Sequence, residues 1–233
     1  MLTLRDIVRS GHVVRWSSVK HGRPQYLAEH HYMVTMIARA LARQILTPDY
    51  YTAENQILLV DYCLNHDLPE LLAGDFPSVS KRKLEMMLGE KSDVFKRLDY
   101  EIHPPLRRLD EKIKGTPLAI IAKLADWADA IVYIQQEGAG NYEVKISRRL
   151  LEAFIESMPS GAAEKADMHR AMDAFCEQPL SHTHGIELKL RRAYRDKVNN
   201  AAKAFPEYAW QEANTVLKEL LEGEDAQIRF EYE

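Results

Sequence analysis

The sequence predicts an all-α protein, and three observations support this. Apolar residues recur at helical spacing through most of the chain, strand-like alternation is confined to Ile228, Phe230 and Tyr232, and Pro and Gly punctuate the periodic stretches. Gln25 to Leu46 repeats apolar residues at Met33/Val34, Ile37, Leu41 and Ile45, the stripe of a long helix burying one side. Thr52 or Ala53 to Asn65 follows, with Ile57, Val60 and Leu64 as its expected stripe. Pro69 tolerates only a first helical turn, so a short third helix is expected from about Asp67 to Gly74. Residues 80–113 are charged and broken at Pro104 and Pro105, which predicts two or three short exposed helices.

Thr116 to Gln136 is apolar on most sides (Leu118, Ile121, Leu124, Trp127, Ile131, Ile134), the pattern of a central buried helix, and Gly138-Ala139-Gly140-Asn141 ends it. Further helices are expected over about Tyr142–Ser157, Ala162–Cys176, Gly185–Ala204 and Pro206–Leu221, with a turn at Pro159-Ser160-Gly161. No repeat or linker divides the chain, so one domain spanning residues 1–233 is expected.

The 233 residues are 46% hydrophobic and 28% charged, enough apolar material for a sizeable core. Thirty-one Lys and Arg against 35 Asp and Glu give a charge of −4, without the basic excess of a nucleic-acid-polymer binder. Cys63 and Cys176 are not in a metal-type spacing, which argues against a disulfide scaffold or zinc ribbon and fits a reducing cytoplasm. No run approaches the roughly 20 apolar residues of a membrane span, and the N-terminus lacks a signal peptide's apolar core. A soluble cytoplasmic protein is expected.

Chemistry concentrates in three places. The steps 30, 34, 37, 41 and 45 put His30 on the inward face of its helix, with His31 about 100° around it, beside the site or at the surface. Asn65-His66-Asp67-Leu68-Pro69-Glu70 packs an imidazole and two carboxylates into about one turn. Asp67 and Glu70 could form an Asp version of the capping box, which would leave His66 unexplained; convergence of His66 and Asp67 on a cation would explain both. Asp126 lies inside the most apolar helix, where a carboxylate needs a cationic partner or a metal, and Asp129, three residues on, competes for that role. His30, His66, Asp67 and Asp126 form a mixed N/O set suited to a divalent ion.

The order His, His-Asp, Asp resembles the HD-domain metal-dependent phosphohydrolases, and most closely their 5'-deoxynucleotidase (YfbR-like) branch. The branch's Arg-Trp and Glu-His are matched by Arg15-Trp16 and Glu29-His30. Its His-Asp-x-x-Glu, Gly-Asp-x-Pro and Lys are matched by His66-Asp67-Leu68-Pro69-Glu70, Gly74-Asp75-Phe76-Pro77 and Lys81. Its late Ala-Asp is matched by Ala125-Asp126, and the likeness covers roughly residues 1–157. It implies an HD helical bundle with extra C-terminal helices beyond about residue 158, and one divalent ion (Co, Mn, Zn, Ni, Fe or Mg) on the four ligands.

The implied reaction is hydrolysis of the 5'-phosphomonoester of a 2'-deoxynucleotide. Glu70 is then the acid/base residue beside Asp67, Arg15 grips the phosphate, Trp16 packs on the sugar and excludes a 2'-hydroxyl, Asp75 accepts the 3'-hydroxyl, and Lys81 adds charge. His31 stands where the branch often has a small polar residue, and residues 85–115 match nothing in the pattern.

Two alternatives remain. A dNTP triphosphohydrolase on the same scaffold would draw cations from Lys81, Arg82, Lys83, Lys20 and Arg23; a non-hydrolytic nucleotide-binding module would keep the site without turnover. Cyclic-nucleotide phosphodiesterase branches rank lower, since no His lies between His66 and His103. The apolar stripe of Trp210, Ala213, Leu217 and Leu220 could build a homodimer interface or an internal core. His182-Thr183-His184 reads as a loop, and Gly138-Ala139-Gly140 lacks the strand-to-helix setting of a nucleotide-binding loop.

Overall fold

The computed structural model describes residues 2–17, 19, 21–76, 78–89, 93–137, 165–168, 170 and 182–222. Among these the chain is all-α, with one isolated antiparallel bridge between Val14 and Tyr26. Helix α1 (Leu4–Val8) and a 3-10 turn (Arg9–His12) open the chain. The capping box of Thr3 and Asp6 starts α1, a signal the apolar pattern hid because α1 buries nothing.

Helix α2 (Leu27–Ile45) buries Val34, Ile37, Leu41 and Ile45 on the expected stripe, and Ala38 beside it. Helix α3 (Ala53–Asn65) starts where expected, with the Thr52 hydroxyl accepting from the Asn55 N–H. Its buried face differs from the expectation: Leu59 and Cys63 point inward, while Ile57 is 62% and Leu64 42% exposed. The spacing 59, 63, 66 explains this, because that face also carries His66 towards the centre.

Helix α4 (Glu70–Ala73) is shorter than expected, and Asp67 does not cap it through its side chain. Residues 66–69 form turns, freeing the Asp67 carboxylate for other partners. Gly74, at φ 76°, then reverses the chain in a conformation suited to glycine. Helices α5 (Ser78–Leu88), α6 (Val94–Ile102) and α7 (Pro104–Ile113) occupy the charged segment, with Pro at the first position of α7.

Helix α8 (Pro117–Glu137) is the central element and buries Leu118, Ile121, Leu124, Ile131 and Ile134. Helices α9 (His182–Ala204) and α10 (Glu212–Glu222) complete the described residues. His182 to His184 therefore belong to a helix, where a loop was expected, and the last helix begins at Glu212 instead of Pro206. Trp210, Ala213 and Leu217 join Val34, Leu41, Leu59, Leu124 and Tyr194 in one core, so that stripe is internal rather than an exposed interface. The expected helices over 142–157 and 162–176, the loops at 138–141 and 159–161, and the 228–232 alternation lie outside the described residues, except that 165–168 and 170 are helical. No helix among the described residues is long and apolar enough to cross a membrane.

Leu41 is fully buried where α2 meets the core, whereas Leu4 of α1 is 77% exposed. Leu41→Ala should therefore lower the unfolding free energy by about 2–5 kcal/mol in urea titration. Leu4→Ala should change it by about 0.5 kcal/mol or less in the same measurement.

Candidate metal centre and active site

Helices α2, α3 and α8 converge on a cluster of imidazoles and carboxylates. The Nε2 atoms of His30 and His66 are 3.4 Å apart, and Asp67 Oδ2 lies 3.4 Å from each. Asp126 Oδ1 is 3.6 Å from His30 Nε2. Donor atoms of His30, His66 and Asp126 all lie within 4.8 Å of one another, and Asp67 joins the cluster through the two imidazoles. Four donors held at about 2.0–2.2 Å around one transition ion are themselves about 3.4 Å apart, so the observed spacing fits such an ion.

The tautomers fit as well. Asp129 Oδ2 sits 2.6 Å from His30 Nδ1, and the Cys63 carbonyl sits 2.8 Å from His66 Nδ1. These acceptors hold the ring protons on Nδ1 and turn both Nε2 lone pairs to the centre. Two facing lone pairs call for a positive charge between them. Burial lowers the pKa of His30 and the nearby Arg15 charge adds to this, yet hydrogen bonds to Asp129 and Asp67 raise it to about 9. Burial lowers His66, and Asp67 is held well below the usual carboxylate range against its burial by His66, His30 and Arg15.

Two cations flank the cluster. Arg15 Nη1 is 2.8 Å from Asp67 Oδ2, and Lys123 Nζ is 2.7 Å from Asp126 Oδ2. Lys123 escaped the sequence analysis, although its position three residues before Asp126 was the available signal. Asp129, read as a rival ligand, serves instead as the partner of His30 and is 4% exposed. His31 is not at the surface: it is 5% exposed, its Nε2 has no partner, and burial followed by the charge of His66 lowers its pKa to about 3.

The segment before α2 delivers the other expected residues. The Arg15 N–H donates to the Gln25 carbonyl at 2.8 Å and the Leu27 N–H to Val13 at 2.9 Å, which closes the loop over residues 13–26. Trp16 adopts φ 62°, a left-handed conformation that is uncommon for an aromatic residue. Its backbone N–H donates to Asp75 Oδ2 at 2.7 Å, so Asp75 is tied to Trp16. The indole stacks on Tyr133 with centroids 5.9 Å apart.

Glu70 is buried, and burial followed by the charge of Asp67 pushes its carboxyl pKa up to about 8. Its Oε2 lacks a partner, as does Arg15 Nε, while Lys81 Nζ stands 3.9 Å from Glu70 Oε1. Buried donors and acceptors without partners are costly and mark places where a ligand can complete the bonding. Among the further cations considered, Arg23 is engaged by Glu29 at 2.6 Å and Glu137 at 3.4 Å. Lys83 is exposed, and Lys20 and the Arg82 side chain lie outside the described residues.

The family described as 5'-deoxynucleotidase YfbR-like matches residues 4–169. The chain belongs to this family of HD phosphohydrolases. It is a hydrolase of phosphate esters, and its described residues include a His/Asp cluster of a kind that could hold a divalent ion. The YfbR-like chain is 22% identical over 231 residues to a dATP triphosphohydrolase of Acinetobacter phage SH-Ab 15497, covering 95% of this chain and 92% of that protein. It is 30% identical over 156 residues to the 5'-deoxynucleotidase YfbR of Salmonella typhi, covering 61% of this chain and 76% of that one. A solved structure, "Cyanophage S-2L HD phosphohydrolase (DatZ) bound to dA and one catalytic Zn2+ ion", superposes with a TM-score of 0.49 at 19% identity, covering 76% of this chain and 98% of the other.

Asp129 fixes the tautomer of His30 without itself facing the centre of the cluster. Asp129→Asn should weaken cobalt or manganese binding about 10–100-fold, read by calorimetric titration of the chelator-stripped protein. His30→Ala should abolish stoichiometric binding.

Proposed function

We propose that residues 1–233 act as one catalytic domain that hydrolyses the 5'-phosphomonoester of a 2'-deoxynucleoside monophosphate. The observation that carries this reading is the placement of Arg15, Glu70, Trp16 and Asp75 around one His/Asp cluster, with Arg15 Nε and Glu70 Oε2 both buried and without partners. His30, His66, Asp67 and Asp126 would hold the divalent ion, which supplies charge to polarise the phosphoryl group and to acidify a water.

Arg15 binds the phosphate. Its planar fork already spends Nη1 on Asp67, leaving Nε to donate to a phosphoryl oxygen. Glu70 moves the proton. A carboxyl group whose pKa is raised by burial is protonated near neutrality, and can hand its proton to the leaving 5'-oxygen or orient the attacking water. Trp16 packs on the sugar face, where its indole leaves no room for a 2'-hydroxyl. Asp75 keeps Oδ2 on the Trp16 N–H and offers its other oxygen to the 3'-hydroxyl. Lys81, 3.9 Å from Glu70, adds positive charge over the phosphate.

The second reading, release of tripolyphosphate from a dNTP, is favoured by similarity to a phage dATP triphosphohydrolase across 95% of the chain. Against it, Arg23 is already paired with Glu29 and Glu137. The proposal is tested by incubating the manganese-loaded protein with dAMP and with dATP. Under the first reading orthophosphate appears from dAMP, whereas faster release of tripolyphosphate from dATP would replace it with the second. Glu70→Ala should lower the rate about 10²–10⁴-fold while retaining the metal. An unchanged rate would remove Glu70 from the chemistry, and metal or nucleotide binding without turnover in the wild type would leave only a binding module.

A further inference from the structure

Gln25 joins two parts of the site that are otherwise separate. It precedes α2 by two residues and is 2% exposed. Its carbonyl accepts the Arg15 N–H at 2.8 Å, and its Oε1 accepts the Trp16 indole N–H at 2.9 Å. Its Nε2 donates at 2.9 Å to Asp129 Oδ2, the same oxygen that holds His30 Nδ1 at 2.6 Å. One buried glutamine thus links the aromatic ring and the carboxylate that orients His30 through its side chain, and the backbone of the phosphate-binding arginine through its main-chain carbonyl.

The direction of these bonds is fixed by chemistry. An ionised carboxylate only accepts, so Asp129 requires the NH₂ end of the Gln25 amide. The carbonyl end must then face Trp16, whose indole can only donate. Stacking on Tyr133 sets the tilt of the indole, at 16° between planes, but leaves it free to slide and turn within its own plane. The Gln25 bond removes that freedom for a residue whose backbone is already held at φ 62°.

We propose that Gln25 is a positioning residue. It locks the Trp16 ring where the sugar would pass and thereby sets the preference for 2'-deoxyribose over ribose, with Asp129 as its anchor. The proposal rests on the reading that Trp16 packs against the sugar. Gln25 touches neither sugar nor phosphate and acts through Trp16, the Arg15 backbone and Asp129.

The experiment compares Gln25→Leu, Trp16→Phe, their double variant and Trp16→Ala. For each, kcat/KM is measured on a 2'-deoxynucleotide and its ribonucleotide, at the phosphorylation level the wild type cleaves faster, and cobalt affinity is measured by calorimetry. Gln25→Leu removes both side-chain bonds, and Trp16→Phe removes the indole N–H while keeping an aromatic ring on Tyr133. Each should lower the deoxy-to-ribo ratio about fivefold, the weight of one neutral hydrogen bond. The double variant should lose no more than either alone, because the two changes break the same link. Cobalt affinity should fall in Gln25→Leu, which strips a donor from Asp129, and hold in Trp16→Phe.

Additive losses in the double variant overturn the proposal, as does a wild-type ratio in Gln25→Leu while Trp16→Ala loses discrimination; the sugar-wall reading survives both results. An unchanged cobalt affinity in Gln25→Leu removes Asp129 as the anchor. Should Gln25→Leu fail to fold, Trp16→Phe decides, and a wild-type ratio there overturns the proposal. A wild-type ratio in Trp16→Ala defeats the sugar-wall reading itself, and the proposal with it.

Discussion

Three carboxylates, Asp67, Asp126 and Asp129, meet two imidazoles inside a helical bundle, beside its apolar core. Unpaired charge in such a place costs several kcal/mol per group, so the arrangement persists only with compensating positive charge. Arg15 supplies some at Asp67 and Lys123 some at Asp126. Hydrogen bonds to Asp129 and Asp67 pull the His30 pKa upward against its burial, the direction that acidic surroundings impose on a ring. A divalent ion answers the same demand with more charge and with the preferred geometry for two nitrogens and two oxygens. The structure around the cluster follows from meeting that demand.

Helix α8 bears the largest share. Asp126, Asp129 and Tyr133 are spaced three and four residues apart, so they rise along one face of the helix. At successive levels that face presents a cluster carboxylate, the carboxylate that orients His30, and the ring that backs Trp16. Other sides of the helix carry Ile121, Leu124 and Ile131 into the core shared with α9 and α10. Rigid packing on one side thereby fixes positions on the other. This is how a helix with only modest polar content can place three functional groups without adjustable loops.

Much of this was legible in the sequence because regular helices translate spacing into direction. His30 could be placed inward from the stripe at 34, 37, 41 and 45, and the central position of α8 from its near-continuous apolar character. The reading failed where another force overrode periodicity. In α3, Ile57 and Leu64 look like core residues, yet the helix is rolled so that Leu59, Cys63 and His66 share the buried side. At Asp67 the local option of capping lost to long-range pairing with Arg15, fifty-two residues earlier in the chain. Gln25 carried no pattern of its own; its importance lies in the groups it reaches, which only the tertiary structure brings near, whereas Lys123 meets Asp126 three residues along the same helix.

The division between helices and irregular segments also separates two kinds of precision. Cluster residues sit on α2 and α8 or at the turn that ends α3, where displacement would disturb a close-packed core. Arg15, Trp16 and Asp75 sit on segments without regular structure, held by individual hydrogen bonds such as Arg15 N–H to Gln25, Trp16 N–H to Asp75 and the Trp16 indole to Gln25. Each such bond contributes on the order of 1 kcal/mol, far less than the packing of a helix. These loop residues can therefore shift by changes in a few residues while the cluster stays in place. The cost is that the irregular loop must be tied to the rigid part at some point. Gln25 makes that tie, standing just ahead of α2 with one end of its amide on the loop and the other on the carboxylate that holds His30.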